Sequence, residues 1–117
     1  MNVDASILTS IKKMLGIDSE CTDFDTDIIM HINSVFLTLS QLGVGSEDFM
    51  ITDDQDVWTD FLPEGELLNS VKPYVYLKVK LVFDTPANSS HTESIKNIIK
   101  EFEFRINLAA ESGKEEV

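Results

Sequence analysis

The sequence has little cysteine and no long apolar run, and these two shortages exclude several classes of protein. Its one cysteine, Cys21, rules out a disulfide framework within the chain and argues against a zinc site built on cysteines. Charged residues or asparagine interrupt every apolar stretch well before the roughly 20 residues that a membrane-spanning helix needs. The opening residues MNVDASILTS lack the basic and apolar blocks of a signal peptide. We therefore expect a soluble protein that is made and used in the cytoplasm.

Basic residues are missing from the middle of the chain. No lysine or arginine occurs between Met14 and Val71, a segment that holds 13 of the 21 acidic residues, and the formal net charge is −12. Such a chain repels phosphates, which excludes a nucleic-acid-binding protein of the usual basic kind. In the simplest interpretation the acids only keep a small protein in solution, and a functional acidic surface is the alternative.

Residues that could carry chemistry are also scarce. His31 and His91 lie far apart, and neither has a cysteine or glutamate at the spacing of metal ligands. The run of residues 53–56, DDQD, resembles part of a calcium loop but lacks its central glycine and final glutamate. We therefore predict a protein that is not an enzyme, with no metal site and no cofactor. An enzyme with paired carboxylates is the least favoured interpretation, because no pair stands out.

Apolar residues at helical spacing dominate most of the chain. They predict a short helix that ends at Gly16, a long helix from about Phe24 to Gly43, and a last helix that begins at a capping box over residues 90–93. A chain of 117 residues that is 43% hydrophobic is long enough for one domain with one modest core. We predict a single helical domain over residues 1–110 and a flexible C-terminal tail over residues 111–117.

The segment YVYLKVKLVFDTP, residues 74–86, fits either a strand or a helix. Its apolar residues alternate as in a half-buried strand, but a lone strand would leave its backbone groups without partners. As a helix, residues 67–82 form one broad apolar face, with Lys78 in its middle and Pro73 near its start. We favour the helix, and we then expect Lys78 to reach water or an acid, including an acid of another copy of the chain.

The predicted fold is therefore all-α, a small bundle of about four helices with a long acidic loop between the second and the third. The loop covers residues 43–66 and places large apolar residues between its acids. Long loops inside compact domains are usually functional. The apolar residues of this loop need burial, either against the chain's own core or against a neighbouring protein. The ones we single out are Phe49, Ile51 and Trp58.

Two further pairs of apolar residues lie outside the predicted core. Met30 and Leu37 occupy the outer side of the long helix, and Phe104 and Leu108 occupy a second stripe on the last helix. Such a surplus favours self-association or a protein partner, and a slightly apolar monomer is the plain alternative. The candidate interface residues are Met30, Leu37, Phe49, Ile51, Trp58, Lys78, Phe104 and Leu108.

Five stretches of the sequence, taken in order, carry a resemblance to a known family. They are ILTSIKKMLGI, FDTDIIMHINSVFLTLSQLGVG, ITDDQDVWTDFL, VKPYVYLKVKLVFDTPANSS and EFEFRINLA. In order, length and spacing they resemble the head-tail connector proteins, also called adaptor or head-completion proteins, of long-tailed phages and prophages. The resemblance runs from about Ile7 to Ala110 and contains no catalytic signature.

The resemblance implies a largely helical structural protein of the virion neck without enzymatic activity. It implies a homo-oligomeric ring, typically a dodecamer, that binds the portal protein and carries the stopper, neck or tail-completion protein. DNA would only pass through the ring, no membrane is involved, and assembly would take place in the host cytoplasm. The segment 67–83 would be a helix whose alternation arises because a ring subunit buries more than one face. The tail from Ala110 to Val117 would be a candidate segment for docking on the portal.

Three acids of the loop have two candidate positions in such a ring. Asp53, Asp54 and Asp56 would repel DNA phosphates if they lined the channel. They would otherwise lie between subunits and reach Lys72, Lys78 or Lys80 of a neighbour. The alternative function is a small acidic helical binding protein of phage or bacterial origin, either a regulator or an inhibitor that mimics DNA.

Overall fold

Helices account for most of the chain in the computed structural model, which describes residues 5–46, 48–83 and 88–115. They are α1 (Ile7–Leu15), α2 (Asp25–Gln41), α3 (Trp58–Phe61), α4 (Glu66–Phe83) and α5 (Ser89–Glu115). Within the described ranges there is no strand, and the one β-type pairing is an isolated bridge between Ser6 and Val57. The predicted all-α fold is confirmed, and the short α3 adds to the four helices expected.

The ambiguous segment is helical, and it forms the central helix of the molecule. α4 packs against α2 and α5 and also contacts α1. Most of its side chains are buried or half-buried, and only Glu66, Asn69 and Val82 are exposed. The strand-like alternation arises because a helix that lies between other helices buries several faces. The chain achieves this burial by itself, so the alternation does not need a neighbouring subunit.

Pro73 lies well inside α4 rather than in its first turn. Proline has no backbone N–H, so the carbonyl of Asn69 loses the partner that the helix would give it. Asn69 is exposed to solvent, where water can supply that hydrogen bond. The helix therefore accommodates a residue that would disrupt it at a fully buried turn.

The structure gives both ends of α5. The side chain of Asn88 accepts hydrogen bonds from the backbone N–H groups of Ser90 (2.8 Å) and His91 (3.3 Å), so Asn88 caps the helix. The predicted capping box at Ser90 is thus wrong by two residues. At the other end α5 continues to Glu115, beyond the predicted domain boundary at residue 110. The flexible tail stays a prediction, and its last two residues lie outside the described ranges.

A buried lysine ties the first two helices together. Lys12 is almost inaccessible to solvent, and its Nζ donates hydrogen bonds to the carbonyls of Ser19 (3.2 Å) and Cys21 (2.6 Å). Its third contact is an ion pair with Oδ1 of Asp25 at 2.8 Å. The ammonium thus has three acceptors, which is what allows a charge to be buried. It fixes the turn between α1 and α2 against the start of α2.

Candidate interaction surfaces

The three loop residues singled out from the sequence lie in or against the chain's own core, whereas Met50 of the same loop is 63% exposed. Ile51 is 1% exposed and Trp58 is 2% exposed, and the half-buried Phe49 packs its ring 5.0 Å from the rings of Phe36 and Phe61. The Trp58 indole N–H also donates to the hydroxyl of Ser10 at 2.9 Å. Ile51 and Trp58 are thus buried within the chain itself, and Phe49 is half-buried against the same core.

The loop is also anchored through its backbone. The amide side chain of Asn33 on α2 accepts a hydrogen bond from the N–H of Ile51 (2.8 Å) and donates one to its carbonyl (3.0 Å). The N–H of Ile7 donates to the carbonyl of Asp56 at 3.0 Å. Gly45 has a φ of 75°, and any Cβ there would collide with the ring of Phe61. These contacts hold the turn at residues 53–56, which we name the acidic turn, in one position on the surface.

The three candidate acids of that turn have different roles. The Oδ2 of Asp56 accepts hydrogen bonds from the N–H groups of Thr52 (2.8 Å) and Asp53 (3.4 Å), so this carboxylate builds the turn. Asp53 accepts one backbone bond, from Gln55 at 2.8 Å, and Asp54 accepts one from the Gln55 side chain at 2.9 Å. Asp53 and Asp54 are exposed, whereas Asp56 is half-buried. Only the first two present most of their charge to the surroundings.

The apolar pairs on α2 and α5 are exposed to solvent. Met30 is 64% exposed and Leu37 57%, whereas Phe104 is 69% exposed and Leu108 52%. α4 packs between the two helices. A hydrogen bond from the Asn107 side chain on α5 to the carbonyl of Leu42 (3.2 Å) joins α5 to the C-terminal end of α2. The two pairs thus lie on two different helices, both of which pack against α4.

Lys78 lies in a shallow groove between α2 and α4, which we name the α2–α4 groove. It has a volume of about 150 Å³ and is lined by His31, Ser34, Val35, Thr38, Lys78 and Val82. Lys78 is half-buried and forms no ion pair with any residue that the structure describes. Of the two expected outcomes, an acidic partner is therefore not found among the described residues of a single chain. Val82, which the helical pattern placed on the apolar face of the 67–82 helix, is instead 61% exposed and lines this groove.

A larger groove of about 420 Å³ lies where α1, α3 and α4 meet. It is lined by Ser10, Lys13, Met14, Trp58 and Lys72. The Nζ of Lys72 lies 5.9 Å from the centre of the Trp58 ring, at the outer limit of a cation–π contact. Lys72 is thus already engaged with its own chain.

The inner side of α5 is fixed to α4 by a partly buried polar contact. The hydroxyl of Tyr74 donates a hydrogen bond of 2.7 Å to Glu103. Burial, this hydrogen bond and the nearby negative charge raise the pKa of the Tyr74 phenol well above its ordinary value. The contact is structural, because the phenol stays protonated over the whole physiological range.

The described residues contain no group of three or more histidine, cysteine, aspartate or glutamate side chains that could hold a metal ion. No described helix is both long and apolar enough to cross a membrane. The candidate interaction surfaces are the exposed acids of the turn, the α2–α4 groove and the outer faces of α2 and α5.

Comparison with known proteins identifies the family. The model of the phage connector protein family matches residues 7–113, and the chain belongs to that family. No curated protein and no solved structure matches the chain. The match covers the same part of the chain as the resemblance noted in the sequence. The protein is thus a phage structural protein of the connector type, and its surfaces are those of a virion component.

Proposed function

We propose that this connector protein forms a ring beneath the portal vertex of the capsid, joins the DNA-filled head to the neck and tail, and lets DNA pass through its centre. Family membership supports the general role, and the exposed apolar pairs on α2 and α5 carry the proposal of a ring. A stable monomer has little reason to keep four large apolar side chains more than half exposed on two helices.

The position of these pairs favours a ring over a closed dimer. A symmetric dimer uses the same surface on both copies, whereas a contact between two different surfaces continues from copy to copy and forms a ring where the rotation between copies closes. The chain offers two different apolar surfaces, one on α2 and one on α5. Covering one large apolar side chain contributes about 1.5–3 kcal/mol, so four partly exposed ones could support a specific contact.

The partners of such a ring are the portal protein on one side and a stopper, neck or tail-completion protein on the other. Its place in the virion is the neck, after assembly in the host cytoplasm. The exposed carboxylates of Asp53 and Asp54 give the ring a negative surface that does not retain DNA. The proposal places them either along the channel or between subunits.

The molecular mass in solution tests this function. Light scattering would be recorded for the chain alone and for the chain mixed with the portal protein encoded in the same genome. The proposal predicts a ring-sized complex, either alone or on the portal. A chain that stays monomeric and does not bind the portal protein would contradict the proposal. That result would favour the alternative function, a small acidic protein that binds a basic partner.

A further inference from the structure

We propose that the α2–α4 groove of one copy receives the outer face of α5 from the next copy, with Lys78 in the groove bound to Glu111 on α5. This inference rests on the proposed function, because it requires copies of the chain to associate. It names the two surfaces that meet and the charge pair that aligns them.

The groove side of the contact combines a cation with apolar surface. Lys78 is half-buried, lines the groove between the two helices and has no acidic partner among the described residues. Val82 lines the same groove, and Met30 and Leu37 are the i−4 and i+3 helical neighbours of Ser34, which also lines it. The groove is therefore bordered by exposed apolar side chains and contains one charge that lacks a counterion.

The α5 side has the matching composition. Phe104, Leu108 and Glu111 are spaced at i, i+4 and i+7, so they follow one stripe along the helix. All three are exposed. Glu101, the other acid near this stripe, is already bound to Arg105 on its own helix. Glu111 makes no ion pair with a described residue, which leaves its carboxylate available to another molecule.

Charge complementarity points to a second copy as the occupant of the groove. Each copy carries a formal charge of −12, so copies repel one another unless cations are placed at the contact. Lys78 supplies such a cation, and the stripe on α5 supplies an anion beside two apolar residues. Because the two surfaces are different and lie on helices that flank α4, the contact repeats from copy to copy.

Reversal of the two charges tests the pairing. Lys78→Glu and Glu111→Lys each place like charges opposite one another and should weaken association of the copies about 100-fold. The double variant restores an opposite pair and should recover most of the ring. Lys96→Glu and Glu64→Lys make the same charge changes at exposed positions outside both surfaces and should leave the ring unchanged. The readout is the fraction of ring by light scattering, alone and with the portal protein.

The measurement on the wild-type chain distinguishes failure of the proposed function from failure of the proposed contact between copies. A wild-type chain that remains monomeric alone and with the portal overturns the proposed function together with this contact. A wild-type ring that persists in both single variants overturns the contact only. The contact is also overturned if both single variants lose the ring and the double variant does not regain it, since the two charges then do not meet.

A folding control accompanies the half-buried Lys78. Circular dichroism and thermal unfolding would show whether Lys78→Glu keeps the native structure. If it does not, Lys78→Met retains most of the side chain and removes only the charge, and it should weaken the ring less than reversal would. Glu111→Lys changes an exposed helical residue, so it tests the contact without a threat to the fold.

Discussion

The acidic loop and the outer faces of α2 and α5 both contain more apolar residues than a simple surface needs, yet they differ in the folded chain. The loop turns Ile51 and Trp58 into the core, whereas Leu37 and Phe104 remain in solvent. The difference comes from geometry. A residue on the outer side of a packed helix cannot turn inward, but a loop can fold its apolar residues back onto its own domain. Exposed apolar residues therefore carry more information about partners on helices than in loops.

The largest expected effect separates these two regions directly. Trp58→Ala should lower the free energy of unfolding by about 3–5 kcal/mol, because it leaves a cavity in the core. Phe104→Ala should change it by less than about 0.5 kcal/mol, because the side chain is exposed. Chemical denaturation of the two variants measures both. Equal losses would contradict the difference between loop and helix surface.

The buried Lys12 and the half-buried Lys78 allow a second comparison. Lys12→Met should destabilise the fold by on the order of 3 kcal/mol, because it leaves the Asp25 carboxylate without its cation. Lys78→Met should leave the unfolding of the monomer nearly unchanged, because Lys78 has no partner within the described chain. Thermal unfolding of both variants gives the measurement. A large loss for Lys78→Met would mean that its charge serves the monomer rather than a contact between copies.

The inner and outer sides of α5 differ in their dependence on pH. The pKa of Tyr74 is higher in the folded chain than its unfolded value of about 10. Its contribution is therefore fully present below pH 10 and is lost as the pH rises beyond that value. Tyr74→Phe should cost about 1 kcal/mol at neutral pH and should reduce the loss of stability in alkali. An unfolding series from pH 7 to about 11 tests this, with Leu108→Ser as a control that keeps the wild-type pH profile.

The smallest expected effects on stability are in the acidic turn, where Asp56 and Asp54 can be compared. Asp56→Asn should destabilise the fold by about 1 kcal/mol, because it weakens the bonds to two backbone N–H groups. Asp54→Asn should be neutral for folding. Asp54→Lys is thus the variant suited to the DNA question. If Asp54 lines the channel, Asp54→Lys should slow DNA ejection and leave the ring intact. If Asp54 lies between subunits, Asp54→Lys should reduce ring formation instead.

Local patterns in the sequence predicted much of this molecule for identifiable reasons. The stripes of α2 and α5 have the helical period, so the exposure of Met30 and Phe104 could be expected. The central position of α4 could not, because a helix buried on several sides has no single stripe and resembles a strand in its alternation. The burial of Ile51 and Trp58 depends on contacts with α1 and α2, which no local pattern contains. The Lys12–Asp25 pair was missed for the same reason.

The start of α5 shows a smaller limit of prediction from the sequence, since it concerns only which residue caps the helix. Asn88 and Ser90 are both good capping residues, and only the backbone geometry determines which one accepts the bonds. The groove around Lys78 could not be predicted from the sequence, because its shape depends on how two helices are placed relative to each other. The sequence did indicate that Lys78 is unusual, because it is a lysine on an apolar face.

The central claim is that the outer faces of α2 and α5 are kept apolar for other copies of the chain. The most direct test is the mass of the complex formed by the double variant Leu37→Ser/Leu108→Ser with the portal protein, compared with that of the wild type. The account predicts a ring-sized complex for the wild type, and a monomer with unchanged thermal unfolding for the double variant. A double variant that assembles as the wild type does would contradict the claim.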